Sequence, residues 1–176
     1  MTDWKRITWH IFHTISLNYN DEYRNEYINF FESLKTIIPC DICKEHYIQN
    51  INKENMKIED NINHDKIFNW TIDLHNTVNK MHRKKIWKYD ESKNYYLQNN
   101  FNNNVLKHFI FEYIRSNFKK NPIRTNELIR MMNSLPYIYP YLNKRVKLID
   151  FKEKFELNRE SMNKWLLAFC IIINSK

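Results

Sequence analysis

Glycine is absent from all 176 residues, and that absence removes whole classes of function. A Gly-x-Gly-x-x-Gly dinucleotide turn, a Walker loop and a Gly-x-Ser-x-Gly nucleophile elbow each need the close backbone approach or positive φ that glycine permits. Rossmann-type dinucleotide enzymes and P-loop nucleotide hydrolases are excluded. Only four prolines accompany the missing glycine, which favours helices over a turn-rich β fold. Long apolar runs are lacking too: Trp165 to Ile173 is far shorter than the ~20 residues a bilayer requires. No N-terminal stretch has the charged-then-apolar order of a secretory signal. A soluble chain without membrane insertion is expected. Cysteine is scarce, at Cys40, Cys43 and Cys170.

What is present is enough apolar residue, 43%, to bury a core, and a formal net charge of +8. An excess of this size usually marks a solvated basic surface. Arg83-Lys84-Lys85, Lys119-Lys120 and Lys144-Arg145 are the basic clusters, with aromatics between them. They come without a helix-turn-helix, RNA-recognition or zinc-finger signature, so nucleic acid is not an expected partner. Acidic substrates, or the phosphates of a cofactor, fit the charge better.

Apolar spacing predicts helices over 3–18, 21–37, 41–52 and 64–83, on residues such as Ile7, Ile11, Phe12 and Ile15, then Tyr27, Phe30, Phe31 and Leu34. Asp21 and Asp41 are the candidate caps. From 88 to 104 the pattern fades into Asp, Ser, Gln and a run of Asn, which reads as a linker. Val105 to Phe118 then has helical spacing and Asn126 to Met132 carries it more weakly. Pro136-Tyr137-Ile138-Tyr139-Pro140 is expected to interrupt any helix, and Ser161 to Ile173 reads as a final, largely buried one.

Cys40 and Cys43 are two thiols separated by two residues on one helix turn, close enough to close a small, reactive disulfide. A helix beginning near Pro39 would stabilise a thiolate at Cys40 through its unpaired amides and positive dipole end. Zinc is the competing reading: Cys40, Cys43 and His46 have ligand-like spacing, and His64, His75 or His82 could complete a tetrahedron. A zinc ribbon or finger usually brings a second tightly spaced ligand pair, which the chain lacks, so no metal is expected. Trp9 and His13 lie four residues apart, as do His75 and Asn79, so each pair shares a helical face. Packed together, the two stripes form a slot for a flat heteroaromatic ring, with His and Asn at its edge and Lys84 able to meet a phosphate. Singly, Trp9 and Trp70 read as core aromatics and a lone His as a hydrogen-bonded core residue.

Together, Arg6-x-x-Trp9-x-x-Phe12-His13-Thr14, Pro39-Cys40-x-x-Cys43-x-x-His46, Phe68-x-Trp70 and His75-Asn76-x-Val78-Asn79 resemble the flavin-linked sulfhydryl oxidases of the Erv/ALR family. The resemblance runs from near Trp4 to Trp87. It implies an all-α fold: an FAD-binding four-helix bundle with a short fifth helix, usually dimeric. The expected organisation is thus an oxidase domain over 1–87, a linker over 88–104, and a mainly helical C-terminal extension over 105–176. By the same resemblance Cys43 is the flavin-proximal sulfur and Cys40 the one that exchanges with the incoming dithiol. Arg6, Trp9, His13, Tyr19, His75, Asn76, Val78, Asn79, Lys84 and Trp87 are implied to line the FAD. Lys5, Asn20, His82 and Arg83 depart from the pattern, standing where glycine, proline, leucine and often glycine are usual.

The implied reaction moves electrons from a protein dithiol to the Cys40–Cys43 pair, to FAD and to dioxygen, giving hydrogen peroxide. Many relatives carry a shuttle cysteine pair outside the bundle. Here only Cys170 remains, inside Phe169-Cys170-Ile171-Ile172, and it reads as a small buried hydrophobe. An added helical segment in place of the shuttle resembles virus-encoded members, which implies the host cytoplasm or the virion, or otherwise the mitochondrial intermembrane space. Two readings of other classes stay open: a flavin-free thiol-disulfide oxidoreductase and a zinc-stabilised basic nucleic-acid-binding module.

Overall fold

The computed structural model describes residues 4–99 and 101–175. Asp3, the first residue of the expected opening helix, lies outside them, as do Asn100 of the expected linker and Lys176. The described residues form helices, turns and loops, with no strand among them.

Helix α1 (Trp4–Leu17) buries Ile7, Ile11, Phe12 and Ile15 on one stripe, the period that an amphipathic helix requires. A short 3-10 turn over Asp21–Tyr23 leads into α2 (Arg24–Ile37), whose Tyr27, Phe30, Phe31 and Leu34 face the same core. Phe12 meets both Phe30 and Phe31 edge-on, at 6.0 and 5.4 Å between centroids. After Pro39 the chain enters α3 (Asp41–Ile51), fixed to α2 by the Tyr47 hydroxyl donating to Phe31 O at 2.8 Å. A single turn, α4 (Ile58–Asn61), precedes α5 (Ile67–Met81). Within α5, Trp70 packs edge-on to Phe31 at 4.9 Å and donates Nε1–H to Met56 O at 3.0 Å. A buried indole thus keeps its one donor satisfied.

The caps sit one residue earlier than the sequence suggests. Asn20 Oδ1, not Asp21, accepts from the Glu22 amide, and Cys40 Sγ, not Asp41, accepts from the Cys43 amide in the first turn of α3. Asp41 instead takes the first helical position, where a carboxylate favours the positive dipole end.

Three features of the second half also differ from expectation. The stretch read as a linker carries α6 (Tyr89–Gln98), which packs on α1 and α5. Its polar composition hides only a narrow contact face, with Ser92 as its one buried residue among those described. Helix α7 (Asn103–Asn117) precedes α8 (Pro122–Ile138), and α8 runs through Pro136 although that residue has no N–H for the preceding turn. Met131, Met132, Leu135 and Ile138 are buried, the contact of α8 with α2 is the most extensive between any two helices, and this packing offsets the ~3 kcal/mol that an interior proline costs. The break falls at Tyr139, which turns extended (ψ 131°) ahead of Pro140. Beyond it, α9 (Leu142–Lys154), which apolar spacing does not flag, and α10 (Met162–Asn174) complete the chain.

One hydrophobic cluster runs without interruption from Ile7 to Ile173. Phe30 of α2 stacks near Phe109 of α7, and α7 and α8 cover the outer faces of α1 and α2. Asn117, wholly buried at the end of α7, donates Nδ2–H to Ile37 O at 2.8 Å and to Tyr113 O at 2.9 Å. Its replacement should therefore loosen both halves: Asn117→Ala is expected to lower stability by about 1–3 kcal/mol in urea denaturation. An unchanged unfolding midpoint would show that this contact does not hold the halves together.

Candidate active site

A cavity of about 870 Å³ opens among α1, α3, α5, α6 and α7, and its walls follow from local structure. Helix α3 starts where Cys40 leaves the extended region (φ −103°, ψ 119°), which aims the Cys43 amide at Cys40 Sγ, 3.2 Å away. Cys40 and Cys43 are joined as a disulfide, their Cα atoms 5.2 Å apart. Cys43 lines the cavity; Cys40 does not. Outside, Asp41 meets Lys44 Nζ at 2.8 Å and Arg124 Nη2 at 3.2 Å, and these cations, Lys44 foremost, hold its carboxyl below the usual range.

The opposite wall is the seam between α1 and α5. Thr71 Oγ1 donates to Phe68 O at 2.8 Å, so it accepts from His13 Nδ1–H at 3.0 Å. His13 Nε2 is then the acceptor for His75 Nδ1–H at 2.9 Å, which leaves His75 Nε2 unprotonated. Trp9 lies flat on His75, 4.4 Å between centroids and 4° between planes. Both imidazoles are neutral. Burial pushes His13 well below its ordinary value, with His75 and His10 adding to the shift, and burial and then the Lys84 charge push His75 down to about 4.

The third wall is a strap, Lys84 to Trp87, that doubles back along α5. Asn79 accepts the Lys84 amide at its carbonyl (2.9 Å) and donates Nδ2–H to Lys85 O (2.9 Å). Asn76 exchanges both of its amide hydrogen bonds with the Trp87 backbone at 2.9 Å. The reversal needs one left-handed residue, and Arg83 supplies it at φ 51°. That is the physical reason for a glycine at this place in the family pattern.

Among the residues singled out from sequence, Arg6, Trp9, His13, His75, Val78, Asn79, Lys84 and Trp87 meet at the cavity with Cys43. Asn76 lies behind the strap and shapes the cavity through it. Tyr19 is not brought there: it packs on Tyr27 at 4.7 Å, its hydroxyl 3.4 Å from Ile62 O, and burial pushes its phenol up to about 12. Sequence reasoning passed over other lining residues. Tyr96 of α6 rests on His13 at 5.1 Å and on His10 at 5.6 Å, and Val105, His108 and Tyr113 come from α7. The paired Tyr95-Tyr96 inside a polar stretch was the available signal. His46, weighed as a zinc ligand, lines the cavity instead. Among the described residues no group of three or more His, Cys, Asp or Glu is placed to hold a metal ion.

Comparison with known proteins covers most of this cavity's wall. The Erv1/Alr family profile matches residues 6–101, more than half of the chain. The chain belongs to the Erv1/Alr family. The match reaches past the strap to the end of α6, so within the family Tyr96 is part of the matched region and α7 to α10 lie beyond it. Similar curated proteins are viral. A probable FAD-linked sulfhydryl oxidase of Acanthamoeba polyphaga mimivirus is 31% identical over 93 residues, 51% of this chain and 65% of that protein. FAD-linked sulfhydryl oxidases from two African swine fever virus isolates are each 30% identical, over 56% and 58% of this chain and 83% and 87% of theirs. The chain thus spans just under two thirds of the mimivirus protein. No solved structure matches the chain.

The neutral His13–His75 pair makes this Erv1/Alr site sensitive to acid. Between the ordinary 6.5 of His75 and about 4, the unfolded chain takes up a proton that the folded one refuses, so stability falls as pH drops through that window. Above 6.5 the contribution of His75 is fully present. Thermal unfolding midpoints should fall from neutral pH towards about pH 4, and the slope should be shallower in His75→Gln; an equal slope would place the proton uptake elsewhere.

Proposed function

We propose that this Erv1/Alr member is a thiol oxidase that uses FAD to form disulfides in protein dithiols, with dioxygen as the electron acceptor and hydrogen peroxide as its product. The observation that carries the reading is the placement of one disulfide across a boundary: Cys43 on the cavity wall, Cys40 off it. A chain that must take electrons from a large partner and deliver them to an enclosed cofactor needs that division.

The cavity suits FAD in size and lining. Its volume of about 870 Å³ falls in the ~300–1,000 Å³ range of small-molecule sites. Trp9 and the neutral His75 offer flat apolar faces, His75 Nε2 offers an acceptor, and Arg6 and Lys84 offer charge for a diphosphate. FAD, when bound, supplies a ring that accepts an electron pair and returns it to dioxygen.

The protein's own part is thiol chemistry. A substrate thiolate attacks Cys40 Sγ, the Cys40–Cys43 bond breaks, and Cys43 leaves as a thiolate on the cavity wall. A second substrate thiolate then attacks the substrate sulfur of this mixed disulfide, so the substrate departs oxidised and Cys40 leaves as a thiolate. The Cys43 amide, directed at Cys40 Sγ, and the dipole of α3 stabilise that leaving group. Cys43 holds the reducing pair where an acceptor in the cavity can take it.

Pairing into a homodimer, implied by the family resemblance, belongs to the same proposal and is read by sedimentation velocity; a single-chain species would remove it. Cys43→Ser should retain flavin but consume no oxygen with dithiothreitol, and full retained activity would refute the assignment. Cys170 packs at the edge of the core, half-buried, and burial raises its thiol pKa. Cys170→Ser should therefore leave turnover of small dithiols unchanged, whereas a large loss would make it an electron relay.

A further inference from the structure

Outside the cavity, the second half of the chain reaches the cysteine motif at two points. Asn117 donates to Ile37 O at 2.8 Å, three residues ahead of Cys40, and Arg124 stands 3.2 Å from Asp41, the residue after it. Between these contacts the chain turns through Lys119, at φ 62°, into α8. Lys119, Lys120, Asn121, Pro122 and Ile123 are all exposed, Ile123 at 70%. Ile42, inside the motif and next to the Asp41 that Arg124 reaches, is 65% exposed. Lys44 and Arg124 both turn to Asp41, whose single charge cancels only one of them. Adding Lys119 and Lys120, and setting Glu45 against them, leaves the rim of the disulfide with surplus positive charge.

We infer that this rim, built from the cysteine motif and the α7–α8 turn, docks the substrate as an acidic segment, with an apolar side chain against Ile42 and Ile123 and carboxylates against Lys119 and Lys120. That the docked segment carries a dithiol rests on the thiol-oxidase reading; the docking itself does not. Charge complementarity of this kind speeds encounter and selects partners more than it adds affinity, and it weakens with salt. The family match ends before this turn begins, so the C-terminal half supplies a partner-selecting wall of its own.

Fluorescence anisotropy on the full chain reads the docking without turnover. The probes are a labelled Glu-flanked peptide with both cysteines replaced by serine, its Lys-flanked counterpart, and a single-stranded oligonucleotide of matched charge. The Glu-flanked peptide should bind at least about fivefold more tightly than the Lys-flanked one at low salt. Lys119→Glu/Lys120→Glu should erase that preference, and Ile123→Ser should weaken both peptides alike. Equal binding of the two peptides, a preference that survives the double charge reversal, or tighter binding of the oligonucleotide would each overturn the inference. Oxygen consumption by the unmodified chain with dithiothreitol separates the two claims: its absence counts against the thiol-oxidase reading and leaves the binding result standing.

Discussion

A buried line of hydrogen bonds, from the Phe68 carbonyl through Thr71 and His13 to His75, locks α1 to α5, and the site is arranged on that seam. The line has one direction. The Thr71 hydroxyl already gives its proton to Phe68, so each imidazole donates towards Thr71; His13 Nε2 accepts from His75, and His75 Nε2 ends the line as an acceptor. A proton added to His13 would set two N–H groups against each other, on a ring whose burial alone already disfavours the charge. Neutral rings are therefore favoured here, and they leave His75 Nε2 as an acceptor nitrogen for a ligand.

Without glycine, the chain makes its sharp reversals by other means. Arg83 and Lys119 both occupy the left-handed region, at a cost of about 1–2 kcal/mol each for residues with a Cβ. Asparagine offsets part of that. Asn76 and Asn79 clamp the strap after Arg83, and Asn117 and Asn121 bracket Lys119, the first bonding Ile37 and the second capping α8. Four asparagines thus hold both turns that border the site.

The first half was legible because its residues announce themselves by period and pair. Ile7, Ile11, Phe12 and Ile15 mark α1, and the Trp9/His13 and His75/Asn79 spacings place the seam before any contact is known. Asn76 and Tyr19 were less readable: a motif residue says that it matters, not whether it touches a ligand, braces a strap or packs elsewhere. The second half was harder for physical reasons. Helix α6 is polar on most of its surface, Pro136 is tolerated because packing on α2 outweighs a missing hydrogen bond, and α9 buries Lys144, Arg145 and Leu148. Arg145 is a case in point. Its side chain is buried and donates Nε–H to Tyr139 O at 2.7 Å, a use of charge that no periodicity argument anticipates. Tyr96, Val105, His108 and Tyr113 reach the cavity from this less readable part.

The two halves meet at the chemistry as well as in the core. Cys43 faces a cavity whose walls include α6 and α7, and Cys40 lies under a rim that includes the start of α8. The central claim is that this cavity holds a flavin in electronic contact with Cys43. Visible absorption of the purified chain, recorded without oxygen before and after adding dithiothreitol, tests it most directly. The account predicts a stoichiometric flavin band that bleaches on addition and returns with air. A colourless protein, or a band that dithiothreitol leaves unchanged, would contradict it.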